Sequence, residues 1–272
     1  MPAHELSPAA LAFDGMAERF DSRFTPWLSV AAQRRAVRAA LAEAFVGGSR
    51  LLELGGGTGD DALWLAEHGR TVVTTDPAPS MVRLAAAKLA PHFGCRAEVV
   101  PAEALEAHAP SLRRPDEASF DGAFSNFAGL NCVSDLGPVA RGLAGLVRPG
   151  GSVLLVLFGI VCPGEMIVEA MRRRPRNMLR RFARGDVPAR LGGQDFTVRY
   201  HRARAIARAM APWFAYEGRQ GIGIAVPPSA AEPDISRHPR LLAGLEAFDR
   251  AVAAPLAMFG DHILYRFVRR DE

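Results

Sequence analysis

Short apolar runs alternate along this chain with stretches whose apolar residues fall three and four apart. Such alternation predicts an α/β fold on a mostly parallel sheet. Gln33 to Phe45 is alanine-rich at helical spacing and is stopped by Gly47-Gly48, so it reads as a helix. Arg50 to Leu54 reads as a first strand that runs into glycines, and Asp60 to Glu67 as a helix stopped by Gly69. Thr71 to Thr75 is expected as a second strand ending at Asp76-Pro77, and Ser80 to Leu89 as a helix capped by Ser80. Arg96 to Val100 and Phe120 to Ser125 read as the third and fourth strands. Asp135 to Val147 reads as a helix, and Ser152 to Phe158 as the fifth strand.

Beyond Phe158 the alternation breaks. Gly164 to Arg184 reads as an inserted helical segment, Phe196 to Tyr200 as a short strand and His201 to Ala211 as a helix. Phe214 to Ala225 is expected as a sixth strand, and Pro227-Pro228 opens a second insertion with a helix from Pro239 to Val252. Asp261 to Arg269 is the closing strand. The organisation is read as one domain over 1–272, with a helical arm at 1–48 and lid-like insertions at 160–195 and 227–258.

Composition adds exclusions. The 272 residues are 49% hydrophobic and 23% charged, which is ordinary for a globular protein and unlike a disordered, collagen-like or coiled-coil chain. The longest apolar run, Val153 to Cys162, is far short of the roughly 20 residues that span a bilayer, so no membrane partner is expected. Met1 to Glu5 lacks the basic flank and apolar stretch of a signal peptide, which predicts a cytoplasmic protein. Cys95, Cys132 and Cys162 are odd in number and far apart, against both a disulfide framework and a zinc site; no metal is expected. A net charge of +4 is too mild to predict a nucleic-acid partner.

The informative stretch is Glu53-Leu54-Gly55-Gly56-Gly57-Thr58-Gly59-Asp60, which follows a strand and opens a helix. Glycines there let the backbone turn sharply and approach a ligand, while the helix N-terminus offers free N–H groups to an anion. A dinucleotide fingerprint starting at Gly55 needs a small residue where Asp60 stands. Starting at Gly57 it finds Ala62, but the turn then comes late relative to the strand. A phosphate loop ending in Gly-Lys-Ser/Thr is absent.

The observed Glu53-x-Gly55-x-Gly57-x-Gly59 resembles motif I of the class I S-adenosylmethionine-dependent methyltransferases. Asp76 ends the second strand, where that family holds the ribose hydroxyls. Pro101-Ala102-Glu103 follows the third strand, where it holds adenine; many members carry Asp-Ala where this chain has Ala102-Glu103. Phe120 to Asn126 is similar to the fourth-strand motif facing the methyl donor, and Leu146 to Gly151 to the turn before the fifth strand. The resemblance implies a seven-stranded Rossmann-like sheet with its last strand antiparallel and helices on both faces. It implies S-adenosylmethionine as cofactor, bound at Glu53, Gly55, Gly56, Gly57, Thr58, Gly59, Asp76, Pro77, Met81, Ala102, Glu103 and Asn126. Phe13 and Phe20, ahead of Trp27, are candidates for an arm closing over the sulfonium.

The acceptor is read as a small molecule, anionic or carrier-bound, with RNA or protein methylation and non-catalytic cofactor binding as alternatives. Ser125-Asn126-Phe127-Ala128 is not the Asn/Asp-Pro-Pro-aromatic signature of base N-methylating enzymes. A homodimer is left open. No base is obvious; His201, His262 and Cys132 are the candidates, each more often structural. From Glu165 to Arg204 eleven arginines face four acids, which nets +7 and leaves the rest of the chain at −3. A continuous helix there would put Arg172 and Arg176 on one face and Arg174 opposite, as a lid for an anionic acceptor or a merely solvated face.

Overall fold

The computed structural model describes residues 6–271, so Met1 to Glu5 lie outside it. A seven-stranded sheet runs in the order β3-β2-β1-β4-β5-β9-β8. Its strands are β1 (Arg50–Leu54), β2 (Thr71–Asp76), β3 (Arg96–Val99), β4 (Phe120–Ser125), β5 (Val147–Phe158), β8 (Phe214–Ile222) and β9 (His262–Arg269). The pairings among β1 to β5 are parallel, while β9 is antiparallel to both its neighbours, as the resemblance implies. Two further strands, β6 (Asp186–Leu191) and β7 (Gln194–Arg199), form a separate hairpin.

Side chains that alternate along each strand feed two cores. Leu52, Leu54, Leu155 and Leu157 face α7 (Gly137–Leu146) and α10 (Ala203–Met210). Leu51, Leu154 and Val156 face α3 (Leu28–Ala44) and α4 (Asp60–Glu67). With helices over both faces, the central strands read as nearly unbroken apolar runs, the mark of a buried parallel sheet. Among the described residues no helix is long and apolar enough to cross a membrane.

Several elements differ from the sequence reading. The helix expected from Gln33 begins at Leu28, and two preceding short helices, α1 (Pro8–Asp14) and α2 (Ala17–Phe24), pack the arm on the helix at Pro79–Leu89 and on the β6–β7 hairpin. Helix α5 runs Pro79–Leu89 with Ala78 at its cap, so Ser80 does not cap it. The Ser80 N–H instead donates to Asp14 Oδ1 at 2.6 Å, a cap supplied by the arm. The strand foreseen at Phe196 to Tyr200 is half of the β6–β7 hairpin, whose Gly192-Gly193 turn has φ of 58° and 89°.

The basic segment is not one helix. Helix α8 (Pro163–Met171) ends, Arg173 adopts φ 56°, and α9 (Pro175–Met178) follows a new proline start. Arg172 and Arg176 therefore do not share a helix face. The remaining α-helices are the short α6 (Ala109–Leu112) and α11 (Pro239–Val252), the latter with the bounds read from the sequence.

Candidate functional site

The carboxyl edges of β1, β2 and β4 converge where open α/β sheets take ligands. At β1 the chain turns through Gly55, Gly57 and Gly59, all left-handed, into α4. A Cβ on Gly56 would strike Thr74 and the Glu53 carboxylate, so this glycine is required by the packing beneath the loop. Gly57 is the opposite case. Its φ is 55° and nothing lies within 4 Å of where its Cβ would sit, so the loop offers open space on that side. The Gly57 N–H donates to Asp76 Oδ2 at 3.0 Å.

Asp76 ends β2 and is buried, with its second oxygen accepting from the Ala78 N–H at 2.9 Å. Burial pushes its carboxyl up to about 6, against the pull of those two N–H groups. Each carboxylate oxygen has a further lone pair, so two hydroxyls can be accepted in addition. Glu53 is deeper. Burial, then the neighbouring Asp61, pushes it up to about 8, and Thr74 Oγ1 donates to it at 2.6 Å. It supports the turn from below.

Thr58 is buried; its hydroxyl donates to Asp21 Oδ1 of the arm at 2.6 Å and accepts from Lys88 at 3.2 Å. Lys88 also bonds Asp21 and Asp60. Phe13 and Phe20 pack with Ala17, Ala78, Met81 and Leu84, which places Met81 under the arm. An aromatic ladder continues from Phe20 through Phe24 to Trp27 at 4.7 and 4.9 Å, and Phe13 meets Phe196 of β7 at 5.9 Å. The arm and the β6–β7 hairpin are thus in contact. Ala102 is buried and Glu103 exposed on the turn after β3, and Pro77 is half-buried.

At the end of β4, Asn126 Nδ2 donates to Asp61 Oδ2 at 2.7 Å, and Arg38 holds the other oxygen of Asp61. Phe127 and Ala128 then take φ of 47° and 60°, two consecutive left-handed residues that are not glycine. Beside them Ser125 Oγ is buried without a hydrogen-bond partner. His262 pairs with Phe158 across β5 and β9, stacks on that ring at 4.9 Å and meets the Phe127 ring edge-on at 5.9 Å. Burial lowers the His262 pKa, and its Nδ1 has no hydrogen bond. His201 and Cys132 are structural. His201 Nε2 bonds the Val133 carbonyl at 2.9 Å, and burial pushes the Cys132 thiol up to about 11.

The sequence reading missed Asp14, Asp21, Asp61, Lys88 and, above all, Arg181. Arg181 is 5% exposed and spends its five N–H groups on Glu165, Asp261 and the Gly159 and Asp261 carbonyls. These anions raise its pKa despite burial, and its guanidinium lies over Phe158 and Tyr200. Cys162, Glu165 and Asp261 lie close enough together to suggest a metal site, but the guanidinium already fills it. Of the missed residues only Lys88, the chain's single lysine, carried a compositional signal.

A model of the methyltransferase domain family matches residues 51–151. Solved structures share the fold at low identity. An S-adenosylmethionine dependent methyltransferase from Mesorhizobium loti is 21% identical, covers 88% of this chain and 98% of its own, and has a TM-score of 0.55. The DhpI–SAH complex is 14% identical over 97% of each chain, also at 0.55. The [4+2]-cyclase SpnF is 16% identical over 87% of this chain and 82% of its own, at 0.52. No curated protein matches this sequence.

Proposed function

We propose that this chain, which carries a class I S-adenosylmethionine-dependent methyltransferase domain over 51–151, methylates a small-molecule acceptor seated at the carboxyl edges of β4 and β5. The observation that carries the reading is the open, left-handed Gly57 with its N–H on the buried Asp76. That cradle fits S-adenosylmethionine: backbone can approach the ligand at Gly57, and Asp76 has lone pairs left for both ribose hydroxyls. Gly55 to Gly59 form the loop, Glu53 and Thr58 brace it, and Pro77 and Met81 flank the ribose. Ala102 and Glu103 take the adenine side, and Asn126 the side of the transferred methyl. Phe13 and Phe20 carry the arm that closes over the site.

The cofactor supplies a methyl already activated on a sulfonium. The protein's part is alignment, and well-oriented reactants gain up to roughly 7–11 kcal/mol from positioning alone. The loop from Asn126 to Ala128 fixes one wall, locked by Asp61 and Arg38. His262, neutral and at the same edge, is the group we assign to take a proton from a hydroxyl acceptor.

Calorimetry with S-adenosylmethionine and S-adenosylhomocysteine tests the cofactor site; heat with either supports it and none on folded protein overturns it. A relative in fold is a cyclase, so turnover needs its own measurement. Transfer of labelled methyl into a metabolite extract supports methylation of a small molecule, and transfer only into total RNA or protein overturns it.

A further inference from the structure

Helix α8 is turned inside out. Its acids Glu165 and Glu169, four apart, are buried at 3% and 6% exposure, held by Arg180 and Arg181 and by Arg172 and Asn177. Ile167 and Met171, also four apart, stand 60% and 73% exposed on the outer side. Leu179 and Phe182, on the turns that follow, are 51% and 40% exposed. A soluble helix normally shows the reverse pattern. In the same segment Arg173, Arg174, Arg176 and Arg184 are exposed and form no ion pair among the described residues.

We infer that the outer side of 163–184 docks on an anionic lipid surface. Ile167, Met171, Leu179 and Phe182 enter the headgroup layer, and the free arginines pair with lipid phosphates. Large apolar groups among arginines on short helical turns are the composition of an interfacial anchor. Charge decides the occupant. A second copy would bring the same positive patch and be repelled, whereas an anionic headgroup layer is complementary. The surface depressions at Glu43, Arg219 and Arg266 and at Pro110, Arg113 and Gly145 lie outside the segment, and a bilayer surface needs no groove of matching shape. The acids that could neutralise the arginines are turned inward, which leaves the outward charge uncompensated. This contact is peripheral and is independent of the methyl-transfer reading. It revises the sequence-based expectation of no membrane partner, which addressed spanning segments.

The test is co-flotation of the whole protein with vesicles of three parts phosphatidylcholine to one part phosphatidylglycerol, against pure phosphatidylcholine. Binding is expected to the anionic vesicles at low salt, weakening as salt rises. Arg174→Gln/Arg176→Gln/Arg184→Gln should reduce it by roughly fivefold per arginine removed, and Ile167→Ser/Met171→Ser should reduce it without changing the salt slope. Circular dichroism and S-adenosylhomocysteine affinity, unchanged in both variants, show that fold and cofactor site are intact. No binding by the parent, equal binding to neutral vesicles, or full binding by either variant overturns the proposal.

Discussion

The nucleotide half of the sheet and the cap over its far edge are built on different physics. In the first, the decisive contacts are made by backbone: a loop whose glycines allow φ values other residues resist, and N–H groups aimed at Asp76. In the second, one side chain organises the whole. Arg181 binds residues from α8, the end of β5 and the approach to β9, across as many as 80 positions of sequence. A site made of backbone survives most side-chain changes and fails at a few positions. A cap hung on a buried charge cluster fails as a unit.

Mutation of each half should therefore separate stability from affinity. The largest effect is expected for Arg181→Met, which removes the cation shared by Glu165 and Asp261 and leaves them chiefly Arg180 and Gln33 as side-chain hydrogen-bond donors; breaking a buried pair costs about 3–5 kcal/mol. Urea unfolding should show that loss, while the S-adenosylhomocysteine affinity of the protein that remains folded should change little. Loss of affinity without loss of stability would break the division. Gly57→Val should act mainly on affinity. A β-branched residue at φ 55° costs about 1–3 kcal/mol in stability and fills the open side of the loop. Calorimetry should show binding weakened beyond detection.

Asp76→Asn is smaller. Loss of charge assistance on two hydroxyl bonds should weaken cofactor binding by about 2 kcal/mol. With the parent carboxyl at about 6, affinity should be flat above that pH and fall as pH drops through it, not near 4 where an ordinary aspartate titrates. The mutant should lack the step.

The subtlest effect is at Glu53, held at about 8 when folded and near 4.3 when unfolded. Between these values the folded state binds the extra proton, so stability falls as pH rises from about 4.3 to 8 and levels off above. Glu53→Gln should flatten that slope by up to about 1.4 kcal/mol per pH unit. An unchanged slope would show that Glu53 is ionised in place.

The same division explains what could be read from the chain. The succession of strands and helices and the glycine loop follow from local patterns, because buried parallel strands and strand-to-helix turns have short-range signatures; the antiparallel closing strand is implied only by the family resemblance. Gly192-Gly193 was such a signal for the β6–β7 hairpin, but Pro188 and weak alternation in Asp186 to Leu191 masked the first strand. Asp14 capping α5 from 66 positions away and Arg181 gathering its acids leave no local trace. The arginine run looked like one solvated helix face because the buried member is not distinguishable in sequence from its exposed neighbours.

The saturation of Arg181 also bears on how this protein can change over generations. Lysine has three donors where arginine has five, so even that replacement would leave acceptors buried and unpaired. Nor can Glu165 or Asp261 drift alone, since each holds the other's counterion in place. Positions 165, 181 and 261 should therefore be inherited as a block, replaced together or not at all. A lineage that abandons the block would have to rebuild the cap over the far edge of the sheet, while the glycine loop could persist unaltered.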